Sequence, residues 1–133
     1  MKRIATVLGV ALVLNGCTFA TSYGVHGALF EAESKIVNCE LESALDTLQR
    51  FTVVGSNKEK GIAFEYMGVV YQEQMDLQAF NHTVDRFLFS EMGRGKNRQE
   101  TIRQWNEKRR EIRELRVYEL GRAECATDFV TAL

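Results

Sequence analysis

The sequence predicts an all-α fold, a small antiparallel domain of four helices. Two observations lead to this expectation. The chain contains no proline, and over long segments apolar residues recur every three or four positions, as they do along one face of an α-helix. Strict alternation of apolar and polar residues is rare. The best candidate for a strand is residues 51–54, which have β-propensity but end at Gly55 after one short run.

The first predicted helix covers about residues 28–50. Its acidic residues lie mostly away from its apolar stripe, so we expect one face to enter the core and the other to contact water. The apolar stripe consists of Val37, Leu41, Ala44, Leu45 and Leu48.

The second and third predicted helices form a helical hairpin. Ser56 and Glu59 have the spacing of a capping box, which would begin the second helix. That helix is apolar nearly all round, so we expect it to be the central one. Asp76 is the expected N-cap of a third helix over residues 77–91. The apolar stripe of the third helix consists of Leu77, Phe80, Val84, Phe87 and Leu88.

The fourth predicted helix follows a glycine-rich loop, MGRGK at residues 92–96, which lacks the spacing of a phosphate-binding P-loop. Asn97 and Glu100 resemble a helix start, and Gly121 is expected to end the helix. Its apolar positions before the last turn are few, and basic residues interrupt them: Ile102, Trp105, Ile112 and Leu115.

Charge is distributed unevenly along the chain. Residues 93–122 hold ten basic and five acidic residues, whereas residues 17–92 hold five basic and eleven acidic ones. We therefore expect the basic fourth helix to lie across the acidic helices, with long arginine side chains covering apolar surface. The alternative is that its exposed face meets an acidic partner or anionic lipid headgroups.

The N-terminal segment MKRIATVLGVALVLNGC has two basic residues followed by an apolar run of eleven residues. This is the length of a signal peptide and well short of the roughly 20 residues that span a bilayer. It ends in Leu14-Asn15-Gly16-Cys17, which resembles the lipobox of bacterial lipoproteins, with Asn15 less usual at its place than Ala, Ser or Thr. The alternative is an ordinary secretory signal in which the cysteine is a coincidence.

The lipobox resemblance implies that a peptidase cuts before Cys17 and leaves a lipidated cysteine as the new N-terminus. It divides the chain into a signal peptide at residues 1–16, a lipidated tether at residues 17–27 and a helical domain at residues 28–133. In such lipoproteins Asp after the cysteine favours the inner membrane. Thr18 therefore implies the outer membrane, facing the periplasm, with the cell surface as the alternative.

Two further cysteines, Cys39 and Cys125, remain after Cys17. Exported proteins reside where thiols are oxidised, so we predict one disulfide between them, with a pair of free buried cysteines as the alternative. No metal site is expected, because two cysteines with the scattered His26 and His82 offer too few ligands.

The second helix carries a weaker resemblance. Phe64, Met67, Gly68 and Tyr71 fall at the spacing of the bulky, Leu-Gly and Tyr positions in the first helix of a tetratricopeptide repeat. In such a repeat the glycine lets the paired helix approach closely. No proline closes the unit and no second copy follows, so an ordinary helical hairpin is the alternative.

The sequence shows no arrangement of catalytic residues with convincing spacing, so we expect no enzyme, no cofactor and no small-molecule substrate. Near-neutral charge and the exported address argue against nucleic acid as a partner. The remaining expectation is an outer-membrane lipoprotein that acts as a helical adaptor or assembly factor for an envelope protein complex. Alternatives are a role like that of pilotins, the small helical lipoproteins that help secretins reach the outer membrane, and a structural envelope lipoprotein without a dedicated client.

An adaptor of this kind would bind a partner helix or extended segment in a helical groove. Aromatic and arginine side chains dominate binding hot spots, although each aromatic here is expected in the core more often than at an interface. The candidate contact residues are Trp105, Tyr66, Tyr71, Arg109 and Arg110.

Overall fold

A computed structural model of the protein describes residues 27–125. Within this range all regular secondary structure is α-helical, as predicted. The signal peptide, Cys17 and nearly all of the predicted tether lie outside the described residues. Residues 51–54, the best candidate for a strand, form the last turn of a helix instead. The helices are α1 (described over residues 27–37), α2 (Leu41–Val54), α3 (Asn57–Glu73), α4 (Leu77–Phe89) and α5 (Arg98–Leu120).

The prediction of a single helix over residues 28–50 is wrong, because a turn at Cys39 divides this segment into α1 and α2. Cys39 has a positive φ of 64°. Its N–H donates to the carbonyl of Ile36 at 3.1 Å, and the N–H of Glu40 donates to the carbonyl of Lys35 at 2.8 Å. These two bonds form a Schellman motif, which ends a helix with one left-handed residue. The described domain therefore has five helices rather than four.

The predicted disulfide is confirmed. Cys39 and Cys125 are bonded, with their Cα atoms 5.5 Å apart across a sequence separation of 86 residues. Closing a loop of that length restrains the unfolded chain by about 4–5 kcal/mol in the chain-entropy model. The bond joins the turn between α1 and α2 to the segment that follows α5.

Helix α3 is central, as predicted, and contacts α2, α4 and α5. The Ser56 hydroxyl accepts the N–H of Glu59 at 3.3 Å and donates to its carboxylate at 2.7 Å, so the predicted cap is confirmed. The predicted caps of the later helices are confirmed as well. Asp76 caps α4 through the N–H of Ala79, Asn97 caps the start of α5, and the left-handed Gly121 ends it.

Two hydrophobic clusters lie on either side of α3. The larger joins α1 and α2 to α3 and takes Ile112 from α5. The smaller joins α3, α4 and α5 around Trp105, whose ring centroid lies 5.9 Å from that of Phe80 and 5.6 Å from that of Phe87. Leu77, predicted to lie on the apolar stripe of α4, is 67% exposed, because it is the first residue of the helix and does not join the cluster.

Gly68 leaves room on α3 for a side chain of α5. A Cβ atom there would lie 2.3 Å from Cε3 of Trp105. The glycine that resembles the small residue of a tetratricopeptide helix thus accommodates an indole from α5, rather than the paired helix α4 as the resemblance implies.

None of the helices in the described range is long and apolar enough to cross a membrane.

Candidate binding groove on helix α5

The position of α5 is fixed by a buried arginine. The Arg116 side chain is fully buried, and its guanidinium donates three hydrogen bonds to backbone carbonyls. Nε donates to Val37 at 3.0 Å and Nη2 to Ile36 at 2.8 Å. Nη1 donates to Ala123 at 2.6 Å. Because the last carbonyls of a helix have no partner within it, Arg116 satisfies the end of α1 while it holds the segment after α5.

A buried carboxylate links this arginine to the surface. The Glu73 side chain is only 4% exposed, and its Oε1 lies 3.4 Å from both Nη1 of Arg116 and Nε of Arg109. One carboxylate therefore balances two guanidinium groups. Arg109 has a partly exposed side chain and reaches from this buried carboxylate to the surface of α5. The contact agrees with the expected packing of the basic helix against the acidic ones.

Beside Arg109 there is a groove of about 560 Å³ along α5 and the segment that follows it. Most of its lining residues recur at intervals of three and four, which places them on one face of the helix. Three of the seven are arginines, and Val117 gives the groove an apolar end. The lining residues are Asn106, Arg109, Arg110, Arg113, Glu114, Val117 and Ala123.

Within residues 27–125, the arginines of the groove retain hydrogen-bond donors that have no partner. Arg109 bonds to Glu73 through Nε, and Arg113 bonds to Glu124 through Nη2 at 3.0 Å. Arg110 is exposed and forms no ion pair with another residue in the described range. A guanidinium has five N–H donors and stays protonated in proteins. The chemistry that these groups offer is the binding of anions rather than acid–base catalysis.

Comparison of the chain with known protein families, with characterised proteins and with solved structures gave no match. The groove is therefore interpreted from its own geometry and charge.

The structure separates the predicted contact residues into two sets. Arg109 and Arg110 line the groove. Trp105 is 2% exposed and Tyr66 is 9% exposed, so both are core residues, which is the alternative expected for them. Tyr71 is half-buried and packs against both hydrophobic clusters.

Sequence reasoning missed most of the groove and the arginine that supports it. Arg113 and Val117 follow Arg109 by four and eight residues, so helical spacing alone puts the three on one face. The spacing of Arg116 also indicates burial, because it follows the buried Ile112 by four residues and so lies on the same face of α5. That spacing was not used, because a charged residue is normally assigned to the surface.

A second polar cluster lies where α1, α3 and α5 meet. The Tyr66 hydroxyl donates to the carboxylate of Glu33. Burial raises the pKa of the neighbouring Glu65 carboxyl, Lys108 opposes that shift, and Glu111 and Glu33 reinforce it. Lys108 in turn donates to Glu111 at 2.6 Å. No group of three or more potential ligands in residues 27–125 is arranged to hold a metal ion.

Proposed function

We propose that this protein is a lipoprotein anchored through Cys17 in the outer membrane and facing the periplasm. Its helical domain acts there as a non-enzymatic adaptor or assembly factor for an envelope protein complex. The groove of α5 carries the proposal, because it is an open helical surface that combines three arginines with the apolar Val117. Grooves of this kind accept a partner helix or an extended segment.

The contacts that hold the groove residues in place favour a binding role. Arg116 ties α5 to the end of α1, and Glu73 connects the same arginine to Arg109 in the groove wall. The Cys39–Cys125 bond restrains the segment after α5. A surface that is already ordered loses less conformational entropy when a partner binds.

Two features of the chain support the proposed location at the outer membrane. The ending Leu14-Asn15-Gly16-Cys17 resembles a lipobox, and disulfides such as Cys39–Cys125 persist in oxidising compartments. Each buried methylene of an acyl chain contributes about 0.8 kcal/mol, and two chains anchor a protein stably. The resemblance of α3 and α4 to a tetratricopeptide repeat stays a prediction.

The anchor is tested by intact mass and membrane fractionation of the natively expressed protein beside a Cys17→Ala variant. We expect a lipid-sized mass increment on the wild type and loss of membrane association in the variant. An unmodified mass, or unchanged fractionation of the variant, would contradict the anchor. Copurification from crosslinked envelopes then tests the adaptor role: one stoichiometric partner is expected, and its absence would favour a structural lipoprotein.

A further inference from the structure

We propose that the groove of α5 binds an acidic segment of a partner protein. The contacts are salt bridges from its carboxylates to Arg109, Arg110 and Arg113, with an apolar side chain of the same segment against Val117. The inference rests on the proposed function in one respect, namely that an adaptor has a protein partner. It adds the chemistry by which the partner is recognised.

Charge complementarity is the first argument. The groove and the residues directly behind and beside it hold more guanidinium groups than carboxylates, and two of the carboxylates are already paired. An incoming carboxylate therefore meets a net positive surface. The guanidinium groups belong to Arg109, Arg110, Arg113 and Arg116, and the carboxylates to Glu73, Glu114 and Glu124.

The available donors are the second argument. Among the described residues, Arg109 bonds only through Nε, to Glu73, and Arg113 only through Nη2, to Glu124, so each guanidinium has further N–H groups to offer a ligand. Guanidinium groups bind carboxylates through two parallel hydrogen bonds. Arg109 and Arg113 are one helical turn apart, about 6 Å. That spacing matches carboxylates one turn apart on a partner helix, or alternate side chains of an extended segment.

The lining of the groove favours a peptide over a membrane surface. The groove is shallow and open to solvent, and Ala123, from the segment after α5, lines it beside the helix, so a bound segment would contact two parts of the chain. A helix that lies on a membrane presents large apolar side chains beside its basic ones. Of the large apolar side chains exposed on α5, only Val117 lines the groove; Leu115, Tyr118 and Leu120 lie outside it.

The test is a selection from a displayed library of random peptides on the full chain, purified in detergent. The key variant is the double charge reversal Arg110→Glu/Arg113→Glu, since both side chains are at the surface and neither belongs to the buried Glu73 pairs. The matched control is Arg50→Glu, which reverses the charge of an arginine at an exposed position of α2. Near-UV circular dichroism and urea unfolding confirm that each variant is folded.

We expect the selected peptides to be rich in Asp and Glu and to bind the double variant about tenfold more weakly than the wild type. Binding to Arg50→Glu should be unchanged, and exchanging the peptide carboxylates for Lys should restore binding to the double variant. Selected peptides without acidic enrichment, or with equal affinity for the wild type and the double variant, would overturn the proposal.

A lipid partner is the other outcome that would overturn it. Flotation of the Cys17→Ala chain with vesicles of phosphatidylglycerol or phosphatidylcholine measures this directly. The proposal is overturned if acidic peptides are not enriched while binding to phosphatidylglycerol exceeds that to phosphatidylcholine and the excess is lost in the double variant.

The results that would overturn the acidic-segment proposal differ from those that would overturn the proposed lipoprotein adaptor function. An unmodified native mass contradicts the lipoprotein assignment whatever peptides bind the groove. A lipidated protein whose crosslinked partner persists in the Arg110→Glu/Arg113→Glu variant keeps its adaptor role and loses only the acidic recognition.

Discussion

Arg116 offers the sharpest test of how the domain is held together. Replacement by Met keeps much of the side-chain volume and removes the guanidinium from a site with no solvent exposure. The carbonyls of Ile36, Val37 and Ala123 lose their charged donor. Glu73 keeps only Arg109 as a partner while it remains buried.

The expected cost follows from these losses. Removing one partner of a buried ion pair costs about 3–5 kcal/mol, because the other charge is left uncompensated. The carbonyl of Ile36 keeps the N–H of Cys39 as a donor, so only those of Val37 and Ala123 are orphaned, and each adds up to about 1–3 kcal/mol, less wherever water can enter. Because Glu73 also keeps Arg109, we take about 4 kcal/mol as the working figure, a large fraction of the roughly 5–15 kcal/mol typical of a folded domain.

The assay is equilibrium urea unfolding with the disulfide intact. With a slope of about 2 kcal/mol per molar urea, the midpoint of Arg116→Met should fall by about 2 M. The control is Arg103→Met on the same helix, whose side chain is 56% exposed and pairs with Glu100 and Glu107. Ion pairs at the surface contribute little to stability, so this midpoint should move little. Equal shifts for the two variants would refute the reasoning.

Three further changes are expected to alter stability. Met75→Gly should stabilise the domain by about 0.5–1 kcal/mol, because Met75 is 83% exposed and has a positive φ of 57°; thermal unfolding measures the gain. Gly68→Ala should destabilise it by about 2 kcal/mol, since the new Cβ would overlap the ring of Trp105; urea unfolding measures the loss. The pKa of Glu65 is raised by burial, so the folded state holds this proton at pH values where the unfolded chain has released it. Stability should therefore rise as pH falls towards about 4.5, and Glu65→Gln should flatten that part of the pH profile.

Controls for these changes lie close to each site. Gln74→Gly alters a residue in right-handed helical conformation and should destabilise the domain; a similar loss for Met75→Gly would contradict the conformational argument. In Gly61→Ala the new Cβ comes no nearer than 3.5 Å to Met92, so this variant should be neutral or stabilising. Equal effects of Ala at positions 61 and 68 would contradict the steric argument. An unchanged pH profile in Glu65→Gln would exclude that carboxyl as the source.

The helix ends were predictable because their causes are local. Ser56, Asp76 and Asn97 each accept the N–H of a residue three positions later, and that spacing is visible in the chain. The break at Cys39 was not predictable in the same way. Apolar periodicity continues across it, and the left-handed residue that ends α1 is a cysteine rather than the usual glycine.

The groove was predictable only in part. Arg109 and Arg110 were identified as arginines of a basic helix, and the burial of Trp105 and Tyr66 agrees with the expectation that aromatic residues lie more often in the core. Arg116 is explained by partners 79 and 80 residues earlier in the chain, the carbonyls of Val37 and Ile36. Tertiary partners of this kind reverse the usual rule that arginine lies at the surface, and no local pattern encodes them.

The most direct test of the adaptor account is photocrosslinking in living cells from the groove itself. A photoreactive residue replaces Val117, which lines the groove and is 49% exposed, and in a control replaces Val53, which is 74% exposed on α2. The account predicts one stoichiometric crosslinked partner from position 117, absent from position 53 and lost when Arg110→Glu/Arg113→Glu is added. No crosslinked partner at position 117, or the same partner from both positions, would contradict the claim that the groove of α5 is where this protein binds.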